Sequence, residues 1–263
     1  MNDLFDIACN FTHESFDDDL KQVIDDGMNI GVNKFLVVAA ELDDAYKIDK
    51  LITNYKDLLY FTTGVHPHHA KSFNDQSTER MRNLIKKYSP NALGEMGLDF
   101  FRNLSSHEEQ IFAFEEQIKL AIEFNKPLFL HQRDSHKPFI KLLDNYKTDI
   151  DKAVVHCFTG TQLELDEYLK CDFYIGLTGW ICDERRNKDL RSSIKNIPLN
   201  RLMLETDSPF LIPRNLNPKP KSNRNEPKNL MHIATEIAQL RNESVEEICN
   251  ATYRNSLDFF SQA

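Results

Sequence analysis

With 263 residues, 41% of them hydrophobic and 10% aromatic, the chain has enough apolar mass for one sizeable core, and its length lies near the roughly 250 residues usual for a (β/α)8 barrel. A net charge of -9 and a pI near 5.5 exclude a protein held broadly to nucleic acid by bulk charge, while leaving room for a local basic patch. The five cysteines are widely spaced with no CxxC pair, which predicts free thiols in a reducing compartment, the cytoplasm; no signal-peptide pattern and no apolar run of membrane-spanning length occurs, so a soluble chain without a membrane partner is expected.

Taken in order, the chain alternates apolar runs with amphipathic stretches. A first strand is expected at 4–9 and a helix at 17–28, with acids early and Leu20, Val23 and Ile24 on one face. The run 34–40 (KFLVVAA) reads as a strand covered on both faces, followed by a helix at 43–55. A third strand at 58–65 leads into His66-Pro67-His68-His69, and a helix follows at 76–88. The fourth strand, 92–96, carries Glu95 between Gly94 and Gly97, residues that let the backbone turn tightly and a ligand approach. Ser106 and Glu109 form a capping-box signature for a long helix to residue 125. Strands five to eight are expected at 126–131, 153–157, 173–178 and 202–205, with helices near 136–146, 162–169 and 188–194 between them. An irregular, proline-rich stretch at 212–228 then precedes two helices at 229–240 and 245–260.

Eight strands alternating with helices over about 200 residues predict a single-domain (β/α)8 TIM barrel across residues 1–263, with an open doubly wound sheet as the alternative. No glycine-rich dinucleotide or P-loop fingerprint follows any strand, which removes the main reason to prefer the open sheet. In a parallel barrel the C-terminal strand ends share one face, so His66, Glu95, His131, His156 and Asp207 should converge there. Glu95 and Asp207 with His131 and His156 make a mixed oxygen and nitrogen set suited to a divalent cation with positions left for water. Any one of these histidines alone reads more simply as a buried, hydrogen-bonded core residue. Their common placement at strand ends reverses that preference.

The motifs GVHPHHA at 64–70, GEMGLDF at 94–100, LHQRD at 130–134, HCFTG at 156–160, MLETDSPFL at 203–211 and KPKSNRNEP at 219–227 occur in series over essentially the whole chain. In them the sequence resembles the TatD family of metal-dependent deoxyribonucleases, among the amidohydrolase-type barrels. The resemblance implies a divalent cation, magnesium first and manganese or zinc as alternatives, and 3'-to-5' removal of nucleotides from single-stranded DNA or RNA by a monomer active in DNA repair or turnover. It also exposes a departure: where most members carry a His-x-His pair after the first strand, this chain has Ala8 and Asn10. One firm metal held by Glu95, His131 and His156 is therefore expected, with any second ion dependent on Asp207 and on substrate oxygens and Asn10 a weak carbonyl ligand at best.

The expected chemistry is attack by water activated at the cation, with Asp207 accepting the proton and His66 or His68 binding phosphate or protonating the leaving oxygen. For the substrate, the loop 212–228 offers Arg214, Lys219, Lys221, Arg224 and Lys228 against one acid, Glu226, and Trp180 is placed to stack on a base. Cys157, beside His156, is expected to point away from it as a buried thiol. Two other classes stay open: a metal-dependent hydrolase of small esters, amides or phosphoesters, which would not need the basic loop, and a nucleic-acid-binding relative impaired in catalysis, which the missing histidine pair would suit.

Overall fold

In a computed structural model, residues 3–185 and 187–261 are described. Eight parallel strands lie in the order in which they occur: β1 (Leu4–Cys9), β2 (Val32–Val37), β3 (Leu59–Thr63), β4 (Ala92–Asp99), β5 (Leu128–Arg133), β6 (Ala153–Val155), β7 (Tyr174–Leu177) and β8 (Leu202–Leu204). A parallel bridge between Cys9 and Ser208, with Asn10 N donating to Ser208 O at 2.8 Å, joins the end of β8 to β1 and brings the sheet round into a barrel. The helices α1 (Leu20–Asn29), α2 (Asp44–Asn54), α3 (Asp75–Tyr88), α4 (His107–Glu123), α5 (His136–Asp144), α6 (Gln162–Lys170) and α7 (Lys188–Ser193) return the chain between strands. After β8 come α8 (Leu230–Arg241) and α9 (Val245–Phe260). The (β/α)8 barrel expected from the rhythm of the sequence is the fold observed.

Two apolar layers hold it. Phe5, Ile7, Leu36, Val38, Phe129, Val154 and Met203 fill the barrel interior, and Phe259 and Phe260 from α9 pack into the same cluster, with Phe5 5.6 Å from Phe260 and Tyr174 5.2 Å from Phe259, centroid to centroid. These contacts come from the first residues of the strands, so α9 plugs the N-terminal end of the barrel and leaves the C-terminal end for chemistry. The larger outer layer packs helix faces such as Phe114, Ile118, Phe139 and Leu165 against the strands. Capping boxes start α4 (Ser106, Glu109), α6 (Thr161, Glu164) and α9 (Ser244, Glu247), satisfying N-terminal amides that would otherwise lack partners.

The fourth strand departs from expectation. It continues through Gly97 and Leu98 to Asp99 because its glycines do not turn the chain; they let β5 approach. A Cβ added at Gly94 would lie 2.2 Å from Phe129 O and one at Gly97 1.9 Å from His131 O, and both residues hold φ near +147°, a region that side chains rarely adopt. The extension puts Gly97 beside His131 and Asp99 beside Arg133 in register.

Candidate metal centre

The strand ends converge on a single oxygen. Glu95 Oε1 lies 2.7 Å from His131 Nδ1, 2.7 Å from His156 Nε2 and 3.2 Å from His66 Nε2. His66 is placed by the turn after β3, where its Nδ1 accepts from His68 N at 3.0 Å. Burial by itself would raise the Glu95 carboxyl, but the charges of His156 and His66 and the hydrogen bonds of His131 and His156 outweigh it and hold the acid well below its ordinary value. The same balance, with burial opposed by Glu95 and Glu205, raises His156 well above its ordinary value. His131 is raised against burial by Asp99 and Glu95. In His66 burial wins over the pull of Glu95, and its pKa falls to about 4.

The donor chemistry fits a cation. His131 Nε2 and His156 Nδ1 are buried without a hydrogen bond, yet each faces a carboxylate oxygen at 3.4 Å, on Asp99 and Glu205 respectively. With three imidazoles already crowding Glu95, the cluster holds more lone pairs than protons can conveniently bridge, a condition that a divalent ion relieves. Among the described residues, the ligand atoms of His66, Glu95 and His131 lie mutually within 4.8 Å. His66 thus joins the prospective ligands, where the sequence had suggested a proton donor.

Asp207 is not one of the three residues whose ligand atoms cluster, but it lies in their electrostatic field. It holds a positive φ of 55° just after β8, and Asn10 Nδ2 donates to its Oδ1 at 3.1 Å and to Ser208 O at 3.1 Å. Burial, with repulsion from Glu95 and Glu205, pushes Asp207 up to about 7 against the pull of His156. Asn10 therefore presents its amide donor to Asp207.

Three acids of the mouth escaped the sequence reading. Asp99 Oδ2 lies 2.7 Å from His68 Nε2 and 3.4 Å from His131 Nε2, while burial is overcome by His131 and His68 and its pKa falls well below normal. Its signal was its place at the end of GEMGLD, two residues past Gly97 and on the same face. Glu205, fully buried, accepts from the Cys157 amide. Asp6 accepts from Thr206 N at 2.8 Å and from Thr206 Oγ1 at 2.6 Å, and burial still pushes it up to about 7. Cys157 lies beyond β6 at φ 47°, so strand alternation does not apply to it; it is half-buried, where a buried thiol was expected, with its Sγ 3.6 Å from Thr178 Oγ1, and desolvation pushes its pKa up to about 12.

The expected substrate residues divide. Trp180 and Arg214 line one cavity of about 250 Å³ with Gly179, Asp183, Leu211 and Asn223, beside the loop that follows Asp207. Lys219 and Lys221 are exposed. His68 is held by Asp99, as above. Arg224 is a correction: its guanidinium donates to both carboxyl oxygens of Asp19 at 2.9 and 2.7 Å, to Glu226 at 2.8 Å and to Ser15 O at 2.6 Å, and it lies 5.3 Å from the Phe16 ring centroid. It pins the loop to the segment before α1 and has no donor left for a phosphate. Lys228 is likewise paired with Glu226 and Asp26.

Comparison with known proteins places these features in a family. A family model described as "TatD related DNase" matches residues 5–261. A protein of Yersinia pseudotuberculosis named "3'-5' ssDNA/RNA exonuclease TatD" is 44% identical over 98% of this chain and 99% of its own length, and one of the same name from Edwardsiella piscicida is 42% identical over 99% and 100%. Among solved structures, a TatD homologue from Escherichia coli K12 superposes with a TM-score of 0.90 at 28% identity, covering 99% of this chain and 98% of its own. A TatD family hydrolase from Entamoeba histolytica gives 0.90 at 26%, covering 98% of each chain.

Proposed function

The chain belongs to the TatD-related DNase family, and on that footing we propose that it is a divalent-metal-dependent exonuclease removing nucleotides from the 3' end of single-stranded DNA or RNA. The observation that carries this reading is the convergence of three imidazoles on Glu95 Oε1 at the open end of the barrel. His66, Glu95, His131 and His156 would hold the cation, magnesium in the first instance, which would supply Lewis acidity for a water and for the phosphate. The chain's own residues do the rest. Asp99 and Glu205 steady the outer nitrogens of His131 and His156. Asp207, kept in place by the Asn10 amide, orients the attacking water and takes up its proton. Arg214, Lys219 and Lys221 attract the backbone, and Trp180 offers a stacking face. The enzyme acts as a cytoplasmic monomer in DNA repair or turnover.

A 5'-labelled single-stranded oligonucleotide digested with magnesium or manganese tests this, beside EDTA and a Glu95→Ala control. A ladder shortening from the 3' end that is absent from both controls is the expected result. DNA and RNA left intact by a protein that binds metal would overturn the reading in favour of a small-ester or amide hydrolase.

A further inference from the structure

We propose that Phe101 and Arg133 form a nucleotide subsite on the rim of the barrel mouth, in which the guanidinium takes a backbone phosphate and the exposed ring stacks on the adjoining base. The proposal rests on the exonuclease reading and extends it to two residues outside the metal centre. Phe101 is 56% exposed, and the Arg133 guanidinium carbon lies 3.9 Å from its ring centroid. Arg133 ends β5 two residues after His131 and on the same face of the strand. Among the described residues its side chain makes this ring contact and no hydrogen bond or ion pair, in contrast to Arg224, whose donors are all engaged. A planar cation with free edges, resting on an aromatic face beside a metal centre, is matched to phosphate at its edge and to a base above the platform.

An isolated exposed phenylalanine means little by itself; the way this one is mounted gives it a purpose. Asp99 Oδ1 accepts from Phe101 N at 3.0 Å and from Arg102 N at 2.8 Å, while its other oxygen meets His68 and His131. One carboxylate therefore fixes both the platform and an imidazole of the metal centre. Gln110, buried, accepts from Asp99 N at 2.8 Å and donates to Asp99 O and Ser105 O at 3.1 and 2.9 Å. Phe100 stacks on His107 with centroids 3.5 Å apart. The loop is ordered before substrate arrives, so little is lost in organising it on binding.

The test uses the full chain with metal and oligonucleotides carrying an abasic residue at one of the last three positions from the 3' end. At one position the wild type should lose about tenfold in kcat/KM, the scale of one base on an aromatic platform. Phe101→Ala should there discriminate by less than about twofold, while Phe101→Trp, which keeps the platform, should retain the discrimination. Arg133→Ala should weaken binding and reduce the salt slope of KM by about one. A wild type that digests DNA yet ignores every abasic position, a Phe101→Ala enzyme that discriminates as the wild type does, or an unchanged salt slope in Arg133→Ala overturns the subsite alone. A wild type inert towards all the oligonucleotides overturns the exonuclease reading and the subsite with it.

Discussion

On the β3 to β6 side of the mouth, Glu95 lies among three imidazoles and its carboxyl is held well below its ordinary value. On the β8 to β1 side, Asp6 is fully buried and Asp207 half-buried, a threonine and an asparagine are their hydrogen-bond partners, and both are pushed up to about 7. The two regions show how the company of a buried acid decides its use. Beside three imidazoles a carboxylate stays charged and becomes the anchor of a cation site; where desolvation prevails, helped at Asp207 by repulsion from Glu95 and Glu205, it sits where a proton is easily taken or lost.

The largest way to break this contrast is Glu95→Ala, which removes the point on which the imidazoles converge. Nuclease activity should fall on the order of 10³-fold or more, and bound metal measured by mass spectrometry should drop below one equivalent. Retained metal with retained activity would show that the centre lies elsewhere.

Next is Asp6→Asn on the opposite side, followed through urea unfolding of the metal-free protein. Because the folded pKa of Asp6 is about 7 and the unfolded one 3.8, the folded state binds the extra proton between these values. The contribution is thus complete below pH 4 and is lost as pH rises through 7. The variant should lack that share of the fall, on the order of 4 kcal/mol; a pH profile parallel to the wild type would mean that Asp6 does not titrate in this window.

A smaller effect is expected from Asp99→Asn, which preserves shape but removes the charge facing His131. Metal affinity measured by calorimetric titration should fall about 10- to 100-fold, and an unaltered affinity would detach Asp99 from the centre. The smallest is Arg224→Ala, about 1 kcal/mol or less for a partly exposed pair, read as a shift in the unfolding midpoint. Arg224 lowers the pKa of Asp19 by hydrogen bonding, so this increment is present above the unfolded value of Asp19 and fades as acid protonates it. Weakened oligonucleotide binding, with stability intact, would return Arg224 to the substrate loop.

Most of the barrel was legible in the chain. The apolar run 34–40 reads as a strand covered on both faces, and β2 is found at Val32–Val37, ending before Val38; the capping signature at Ser106 and Glu109 marks the start of α4 within a residue. Glu95, His131 and His156 were legible because each ends such a run, and the structure brings them to within hydrogen-bonding distance of one another through Glu95. The glycines around Glu95 misled, since a residue that permits a turn equally permits close approach of a neighbouring strand. The β4 extension and Asp99 were missed for that reason. The charges of 212–228 misled too: a sequence displays Arg224 as a cation and hides its partner Asp19, 205 positions away.

Sequence alone determined the alternation of elements, the end of each strand at which chemistry collects, and the types of donor gathered there, because periodicity and residue type are local properties. Only the tertiary structure decided which donors meet. Distances between residues brought together by barrel closure depend on strand register and stagger, so it took the fold to put His66 on Glu95, the Asn10 amide on Asp207, and Arg133 over Phe101.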